Sequence, residues 1–501
     1  MKPILHGQTR EWRRSGPQMP TPEQGIRMTT RTRLVIAVGL LSQAMVVSAS
    51  GQAPVWEQSY RAGQSDDNGQ FMGGSTIVHL VGHKGKLFAG NSYWQDSRNV
   101  WYGGKDRSTG WAQVLRLDKS GGRWTVDLEM GPQHLRCEIL KSVTFRTDGS
   151  GRLLKEPVNL LVACTFNPKP DSVAISMFTR DDATGKWTRS TVFSGPRPKV
   201  LDDRATRAIR VHHDKVTGVD RIFLPIGKLG IFSGVYDAAA PGKIRWDSKS
   251  ESGPVETRPM AIIESGGKLL FSAGRKIYRR NDGQSPSYTV IQDVSDLYAK
   301  VPNQPSGGIR GLTSIATPGG GGDSLLFAMA EGKRSRGAIY RLDPKQDGSY
   351  ARVREVYLDK LMSKYLNGNP VNMILAAYND MFPVVDPKTR ERVHLIGFES
   401  WIGGNRFPLW SANKKGGFYA GGMYAIRDKK GNYRLKEING RITRAKPTLV
   451  STKVFARSPF KGPGRDMLYF AGHDPNFRPS HDTAWIFSTS LENALRQDPV
   501  E

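Results

Sequence analysis

Several features that define common protein classes are scarce in this chain of 501 residues. Two cysteines are too few for a disulfide-dense small domain, and the lack of a 20-residue apolar run excludes a multi-pass membrane protein. Sustained helical periodicity is almost absent after residue 54, which excludes a coiled coil; the best helical windows are 356–365 and 491–496. An apolar content of 38% is too high for a disordered chain. These absences leave a soluble, turn-rich globular protein.

Acidic residues are also scarce, because 46 Asp and Glu stand against 73 Lys and Arg, a formal net charge of +27. Residues 1–52 contribute +5 of this charge and the remaining chain contributes +22, so the excess is not confined to one tail. Such a surface attracts anions, and the candidate partners are nucleic acid, anionic lipid head groups and acidic polysaccharide.

The N-terminal region distinguishes between these partners. Residues 28–52 combine two arginines, an apolar stretch and then small residues, which is the layout of a secretory signal peptide. Residues 1–27 form a polar extension, so the true start is either Met1 or Met28. We therefore expect a secreted or periplasmic monomer with no transmembrane segment after cleavage, whose partner is an anionic glycan or another polyanion rather than nucleic acid. Cys137 and Cys164 then form one disulfide or a buried pair of thiols.

After residue 54 the chain consists of short apolar or alternating runs separated by Gly, Asp, Asn and Pro, which predicts an all-β fold. Seven units of three or four such runs can be aligned, starting with TIVHLVGHKGKLFAGNSYW and ending with TAWIFSTS. The seventh unit lacks a fourth strand, whereas residues 55–61 form an orphan strand. We predict a single β-propeller over residues 53–490, most simply of seven four-stranded blades closed by the mature N-terminal strand, followed by a tail at 491–501. A β-sandwich pair or a ring of six or eight blades is the alternative.

These units resemble seven-bladed β-propellers in general, without the kelch or Trp-Asp blade signatures. They are also loosely similar to exported propeller polysaccharide lyases, in the types of residue at the candidate site and not in a shared motif. The resemblance implies a carbohydrate ligand that contains uronate, although one fold hosts many activities.

Loops at one face of a propeller gather around its central channel, where function concentrates. Crossings between blades place His134, Arg136, Arg204, Arg207, Arg258 and Arg310 there. Candidate ligand-binding residues at the strand ends of the units are Asn91, Tyr93, Trp94, Asn167, Lys228, Arg275, Trp401, Asp474 and Asn476.

Histidines are the first candidates for acid–base chemistry, because their unperturbed pKa is nearest to neutrality. The segment AGHDPNFRPSHDTAW carries His473 and His481, which could serve as general bases or metal ligands, or simply pack the loop. His79 and His83 share one face of the first inner strand, and His79 is a third candidate base if that face meets the channel. We interpret His212 and His213 as structural.

Two arginines and one carboxylate complete the candidate set. Arg258 and Arg310 each open an inner strand and suit the recognition of carboxylate or sulfate, unless acidic neighbours pair with them. Glu399 ends a strongly apolar strand, so burial should raise the pKa of its carboxyl unless Arg or Lys is near. It is the candidate acid or base for a hydrolase, or a structural partner of Arg310. Asn379 and Asp380 are expected to shape a turn.

The leading hypothesis is an exported propeller that binds an anionic carbohydrate and, in its enzyme version, cleaves it by β-elimination. Arg310 or Arg258 would neutralise the uronate, His473, His481 or His79 would remove the C5 proton, and a Tyr or His would protonate the leaving oxygen. One alternative is a non-catalytic binding or scaffold propeller. The other is a metal-dependent hydrolase or lactonase, using Glu399, Asn91, Asn167 and Asn476. The sequence requires no cofactor, and a divalent metal such as calcium belongs only to the last alternative.

Overall fold

The computed structural model describes residues 56–93, 110–298, 308–329, 337–363, 371–402, 418–420, 422–438, 449–476 and 482–496. Three short strands come first: β1 (Glu57–Arg61), β2 (Gln64–Ser65) and β3 (Phe71–Met72). β2 and β3 form a small hairpin of their own. Seven antiparallel sheets then form the blades of a β-propeller, which confirms the predicted fold. Each is built on a path of four hydrogen-bonded strands, and the sheet of blade 6 carries two further strands.

The blades follow one another along the chain, and each runs from an inner strand outwards. Blade 1 contains β4 (Thr76–His83), β5 (Lys86–Ser92), β6 (Gln113–Leu117) and β7 (Thr125–Glu129). Blade 2 contains β8 (Ile139–Thr147), β9 (Leu153–Pro168), β10 (Ser172–Arg180) and β11 (Trp187–Pro196). Blade 3 contains β12 (Arg210–Asp214), β13 (Val219–Ile226), β14 (Gly230–Tyr236) and β15 (Ile244–Trp246). Blade 4 contains β16 (Pro259–Ser265), β17 (Lys268–Ala273), β18 (Lys276–Asn281) and β19 (Ser287–Asp293).

The remaining blades repeat this arrangement with one irregularity in blade 6. Blade 5 contains β20 (Arg310–Ala316), β21 (Asp323–Met329), β22 (Ala338–Pro344) and β23 (Tyr350–Tyr357). Blade 6 contains β24 (Val371–Ala376), β25 (Phe382–Val385), β26 (Arg392–Ile402), β27 (Phe418–Ala420), β28 (Met423–Arg427) and β29 (Tyr433–Glu437). Blade 7 contains β30 (Ser451–Arg457), β31 (Met467–His473) and β32 (Ala484–Ser490). Two short helices, α1 (Leu358–Met362) and α2 (Leu491–Leu495), fall in the two predicted helical windows.

The N-terminal strand closes the ring. β1 pairs antiparallel with β32, with Glu57 opposite Ser488 and Arg61 opposite Trp485, and so supplies the fourth strand of blade 7. This confirms the predicted closure by residues 55–61. Closure pairs the outer edge of β32, which would otherwise be an unpaired strand edge open to association.

Seven apolar clusters hold the described blades together, and each lies between two neighbouring blades. One of them joins Ile77 and Leu80 of blade 1 to Tyr469 and Ile486 of blade 7, so the ring is also closed by packing. Each middle strand is covered on both faces by adjacent blades. This is why β13 and β31 are nearly continuous apolar runs, whereas an outer strand such as β11 alternates and is largely exposed.

Buried arginines add ionic links between three pairs of blades. Arg180 of blade 2 donates to Asp127 of blade 1 at 2.8 Å. Arg280 of blade 4 donates to Asp214 of blade 3 at 2.7 Å, and Arg427 of blade 6 donates to Glu355 of blade 5 at 2.6 Å. We call Arg180, Arg280 and Arg427 the interblade arginines. Each is 1–5% exposed, so the carboxylates that surround it are required to offset its desolvation.

The two cysteines lie in this interior as free thiols. Cys137 and Cys164 are both fully buried, and burial raises the pKa of both thiols, that of Cys164 to about 12. Of the two expectations for the pair, the structure therefore shows the buried thiols. No helix within the described ranges is long and apolar enough to cross a membrane.

Candidate functional site

The inner strand of blade 6 is interrupted where β24 ends and β25 begins. Both strands pair with β26, and Ala376 lies opposite Phe398 whereas Phe382 lies opposite Leu395. Residues 377–381 therefore face only two residues of β26 and form a loop, which we call the channel bulge. Its first residue, Ala377, has a φ of +49°, a left-handed conformation that is costly for a residue with a Cβ atom.

The channel bulge reaches blades on both sides of blade 6. Asn379 donates through Nδ2 to the carbonyl oxygen of Val78 in blade 1. In the other direction, the backbone N–H of Met381 donates to Thr313 Oγ1 of blade 5 at 3.2 Å. Only the centre of the ring is within reach of blades 1 and 5 together, so the bulge lies in the central channel. The Asn-Asp pair that was expected to shape a turn thus forms part of the channel wall.

Tyr378 is the side chain of the bulge around which cations gather. Arg207, from the segment that enters blade 3, donates through Nη1 to Tyr378 Oη at 2.7 Å. The ammonium of Lys453 in β30 lies 4.3 Å from the centre of the Tyr378 ring, and the guanidinium carbon of Arg310 in β20 lies 5.6 Å from it. Three blades other than its own thus place positive charge on one phenol.

The charge around Tyr378 changes its acidity. Burial alone would raise the pKa of the phenol, but Arg207, Lys453, Arg136 and Arg310 together bring it below the usual value of 10.0. We call these four residues the channel cations. A phenol next to several cations loses its proton more readily, because the phenolate is stabilised by their charge and by the hydrogen bond from Arg207.

Glu399 lies next to this cluster and is paired with a lysine. Its Oε2 accepts hydrogen bonds from Ser451 Oγ at 2.7 Å and from Lys453 Nζ, and it lies 3.8 Å from His473 Nε2. Burial would raise the pKa of the carboxyl, but Lys453 and His473 lower it to about 2. Glu399 is therefore ionised at neutral pH and cannot donate a proton. The sequence predicts a raised pKa for Glu399 only if no Arg or Lys is near, and Lys453 of the adjacent blade meets that exception.

Two further titratable groups belong to this region, His79 beside the bulge and Asp380 within it. His79 donates through Nε2 to the carbonyl oxygen of Glu138 at 2.8 Å, and burial lowers the pKa of His79 to about 4. The ring is thus neutral at pH 7, with its lone pair on Nδ1. Desolvation raises the pKa of the Asp380 carboxyl, against the opposing charge of Lys141.

The other candidate catalytic residues are placed as follows. Arg310 belongs to the cluster, and His473 is fully buried behind Glu399. Arg258 is half-buried before β16 and does not belong to the channel cations that act on Tyr378. His481 lies outside the described residues, as does Trp94.

Most of the candidate ligand-binding residues are buried or are bonded to other residues of the propeller. Four are at most 1% exposed, and they are Asn91, Tyr93, Trp401 and Asp474. The amide of Asn476 binds both backbone polar groups of Tyr419, at 2.7 and 3.0 Å. Asn167 bonds His134 at 3.2 Å, and Lys228 pairs with Asp203 at 3.1 Å. Arg275 is half-buried beside Asp293. The amide nitrogens of Asn91, Asn167 and Asn476 thus donate to other groups of the protein. The described residues contain no group of three or more His, Cys, Asp or Glu placed to hold a metal.

Sequence reasoning missed Tyr378 and Lys453. Tyr378 precedes the Asn-Asp pair between two apolar runs, and the pair suggested only a turn. Lys453 had a detectable signal, because it directly precedes the apolar run VFA in the strand STKVFAR, where a charge must find a partner.

Comparisons with known proteins add little to this picture. No family model matches the chain, and no curated protein does. The chain is similar to a glycoside hydrolase family 93 α-L-arabinofuranosidase of Fusarium graminearum, solved with arabinobiose, at 11% identity and a TM-score of 0.38, over 87% of this chain and 98% of that one. It is also similar to a protein of unknown function from Dyadobacter fermentans at 10% identity and a TM-score of 0.38, over 87% and 100% of the two chains. Such values are too low to transfer an activity or a site residue.

Proposed function

We propose that this propeller binds an acidic glycan in its central channel and cleaves it by β-elimination. The observation that supports this proposal is the convergence of the channel cations on Tyr378, whose hydroxyl accepts from Arg207 at 2.7 Å. Arginines bind carboxylates bidentately, so Arg207 and Arg310 would hold and neutralise the uronate group. This neutralisation makes the C5 proton of the sugar more acidic.

Tyr378 is then a better base than the histidines. As a phenolate it would take the C5 proton, the C4–O bond would break as the C4–C5 double bond forms, and the new phenol would return its proton to the leaving oxygen. Its conjugate acid keeps a higher pKa than His79, whose pKa of about 4 makes it a weak base. His473 is fully buried, which separates it from a substrate. Glu399 would keep Lys453 in place.

The test is turnover of uronate-containing polysaccharides by the chain from about residue 52, followed by absorbance near 235 nm. Native protein should produce unsaturated uronate, and Tyr378→Phe should lower kcat by about 100-fold or more with little change in melting temperature. Neutral polysaccharides serve as the substrate control. Tyr288→Phe is the matched control variant, because that phenol bonds Glu251 in the outer part of the molecule. Full activity of Tyr378→Phe would overturn the catalytic role.

A second candidate is a non-catalytic binding propeller. It is favoured by the burial of His473 and by the engagement of His79 with Glu138, which leave the described channel histidines poorly placed for catalysis. In that case acidic glycans bind without any rise at 235 nm, and the affinity falls steeply with salt. Export through residues 28–52 belongs to both proposals, and detection of a mature chain that starts near residue 52 outside the cytoplasm would test it.

A further inference from the structure

A serine, a histidine and an aspartate are joined at the interface between blades 1 and 2, and neither the channel cluster nor the proposed β-elimination uses them. His83, the last residue of β4, lies 2.9 Å through Nδ1 from Ser142 Oγ of β8. Its Nε2 lies 2.9 Å from Oδ2 of Asp182. The His83 side chain is 1% exposed and that of Asp182 is 18% exposed, so the hydrogen bond between them is largely shielded from water.

The positions of the protons follow from the partners. Burial would raise the pKa of Asp182, but Lys84, His83 and Arg180 lower it, so the carboxylate is ionised and can only accept. His83 Nε2 must therefore carry a hydrogen. Burial also lowers the pKa of His83, against the effect of Asp182, so the ring is neutral at pH 7 and its Nδ1 accepts. The hydroxyl of Ser142 can therefore donate its proton to a base that is itself oriented by a carboxylate.

Ser142 is also accessible. It is only partly buried and lines a cavity of about 290 Å³ with Lys141, Arg146, Arg210 and His213. Arg210 lies 3.6 Å from Glu264, and His213 lies 2.9 Å from Asp220, so both side chains have carboxylate neighbours. Lys141 and Arg146 lie on the same strand as Ser142 and also line the cavity, so positive charge borders the space in which an ester would bind. Such charge stabilises the oxyanion that forms when a hydroxyl attacks an ester carbonyl.

We propose that Ser142, His83 and Asp182 form a serine-hydrolase site that cleaves small acyl esters in this cavity. Ser142 Oγ attacks the carbonyl carbon while its proton passes to His83 Nδ1. The C–O bond to the alcohol breaks, and the alcohol leaves with that proton. Water, deprotonated by His83, then releases the acid from the acyl-serine. The order of the nitrogens, with serine at Nδ1 and aspartate at Nε2, is chemically sufficient because either ring nitrogen can be the base.

A second hydrogen-bond acceptor next to Ser142 competes with its role as a nucleophile. Ser142 Oγ also lies 3.2 Å from Asn159 Oδ1, so the hydroxyl proton has a second acceptor. In a purely structural network the serine would bridge β8 to β9 and blade 1 to blade 2 without reacting. A measurement of how fast the Ser142 hydroxyl reacts with an electrophile distinguishes the catalytic role from the structural one, because a purely structural serine is no more nucleophilic than an ordinary serine.

The experiment is labelling of the folded full chain with a fluorophosphonate probe at pH 7.5, with the adduct mapped by mass spectrometry. We expect one adduct, on Ser142, and hydrolysis of p-nitrophenyl acetate that His83→Gln lowers at least 100-fold. Asp182→Asn should also lower the rate at which the probe labels Ser142. Ser265→Ala is the matched control, because this half-buried serine bonds Ser314 Oγ at 2.8 Å, and it should label and hydrolyse as native protein does.

Mapping on native protein keeps the test decisive if a variant fails to fold. Absence of an adduct on Ser142 overturns the proposal, and so does a labelling rate that His83→Gln leaves unchanged in a folded protein. The lyase proposal is independent of this outcome, since Tyr378→Phe should leave the labelling of Ser142 unchanged.

Discussion

Arg280 and Arg207 show how one residue type serves two purposes in this molecule. Arg280 lies between blades 3 and 4 and contacts Asp214, Asp282 and Glu251 at 2.7–2.8 Å. Arg207 lies at the channel, where it donates to the phenol of Tyr378. The interblade arginine is surrounded by carboxylates that offset its charge. The channel arginine faces a phenol and three further cations, so this region attracts an anion.

The net charge of +27 therefore does not locate the binding site, because many arginines are committed to the fold. The number of carboxylates around each arginine is a better guide to the position of an anion-binding site. In the channel cluster, Glu399 pairs with Lys453, and Glu138 pairs with Arg136. Among the residues that the structure describes, the four channel cations thus outnumber the two carboxylates that pair with them.

The largest effect is expected from breaking an interblade link. Arg280→Met would leave Asp214, Asp282 and Glu251 with uncompensated charge in the interior, so we expect a loss of about 3–5 kcal/mol in the free energy of unfolding. Urea denaturation measures this loss. Arg207→Met is the matched variant at the channel and should cost much less stability. Similar losses for the two variants would contradict the distinction between interblade and channel arginines.

The next effect concerns ligand affinity. Arg207→Gln or Arg310→Gln removes one charged hydrogen-bonding group, worth about 1.5–3 kcal/mol, so binding of an acidic oligosaccharide should weaken by about 10- to 100-fold. Titration calorimetry at two salt concentrations measures the change. Arg152→Gln is the control, because its side chain is 84% exposed and pairs with Asp148 in a turn. Equal weakening by the control would show that only overall charge matters.

Acid should destabilise the protein through its buried histidines. Burial lowers the pKa of His79, His134 and His394 to about 4, so these rings remain neutral in the folded protein while the unfolded chain binds protons near pH 6.5. Their contribution to stability is complete above about pH 6.5 and is lost as the pH falls towards 4. Thermal unfolding at pH 7.5, 6 and 4.5 measures the loss. His394→Gln should reduce this pH dependence, and an unchanged slope would count against buried histidines as its cause.

The smallest effect is expected at an exposed ion pair. Lys228 is 48% exposed and lies 3.1 Å from Asp203, so Lys228→Ala should change stability by less than about 1 kcal/mol. Glycan affinity should also stay within a factor of about two. A large loss of affinity would restore Lys228 as a ligand-binding residue and extend the site beyond the channel cations.

Much of the fold was predictable because its signals are local. Period-2 runs, turn residues and the orphan strand at 55–61 define seven blades, and the hydrogen bonds of β1 with β32 confirm the closure. The site was predictable only in part. Arg310 and Arg207 were expected at the channel face from their positions before inner strands. Asn91 and Asn476 were expected there from the strand ends of their units, yet Asn91 Nδ2 donates to the carbonyl oxygen of Gly73 and Asn476 Oδ1 accepts from the backbone N–H of Tyr419.

The sequence by itself determined the strands, their order and the excess of positive charge, because each depends on neighbouring residues or on composition. Only the tertiary structure decided which charges meet. Tyr378, Arg207 and Lys453 are 75 or more residues apart from one another, and ring closure alone brings them together. It also decided the state of Glu399, since an apolar strand predicts a raised carboxyl pKa and a lysine of the adjacent blade lowers it to about 2. Electrostatic interactions depend on distance in space, which the linear sequence does not specify.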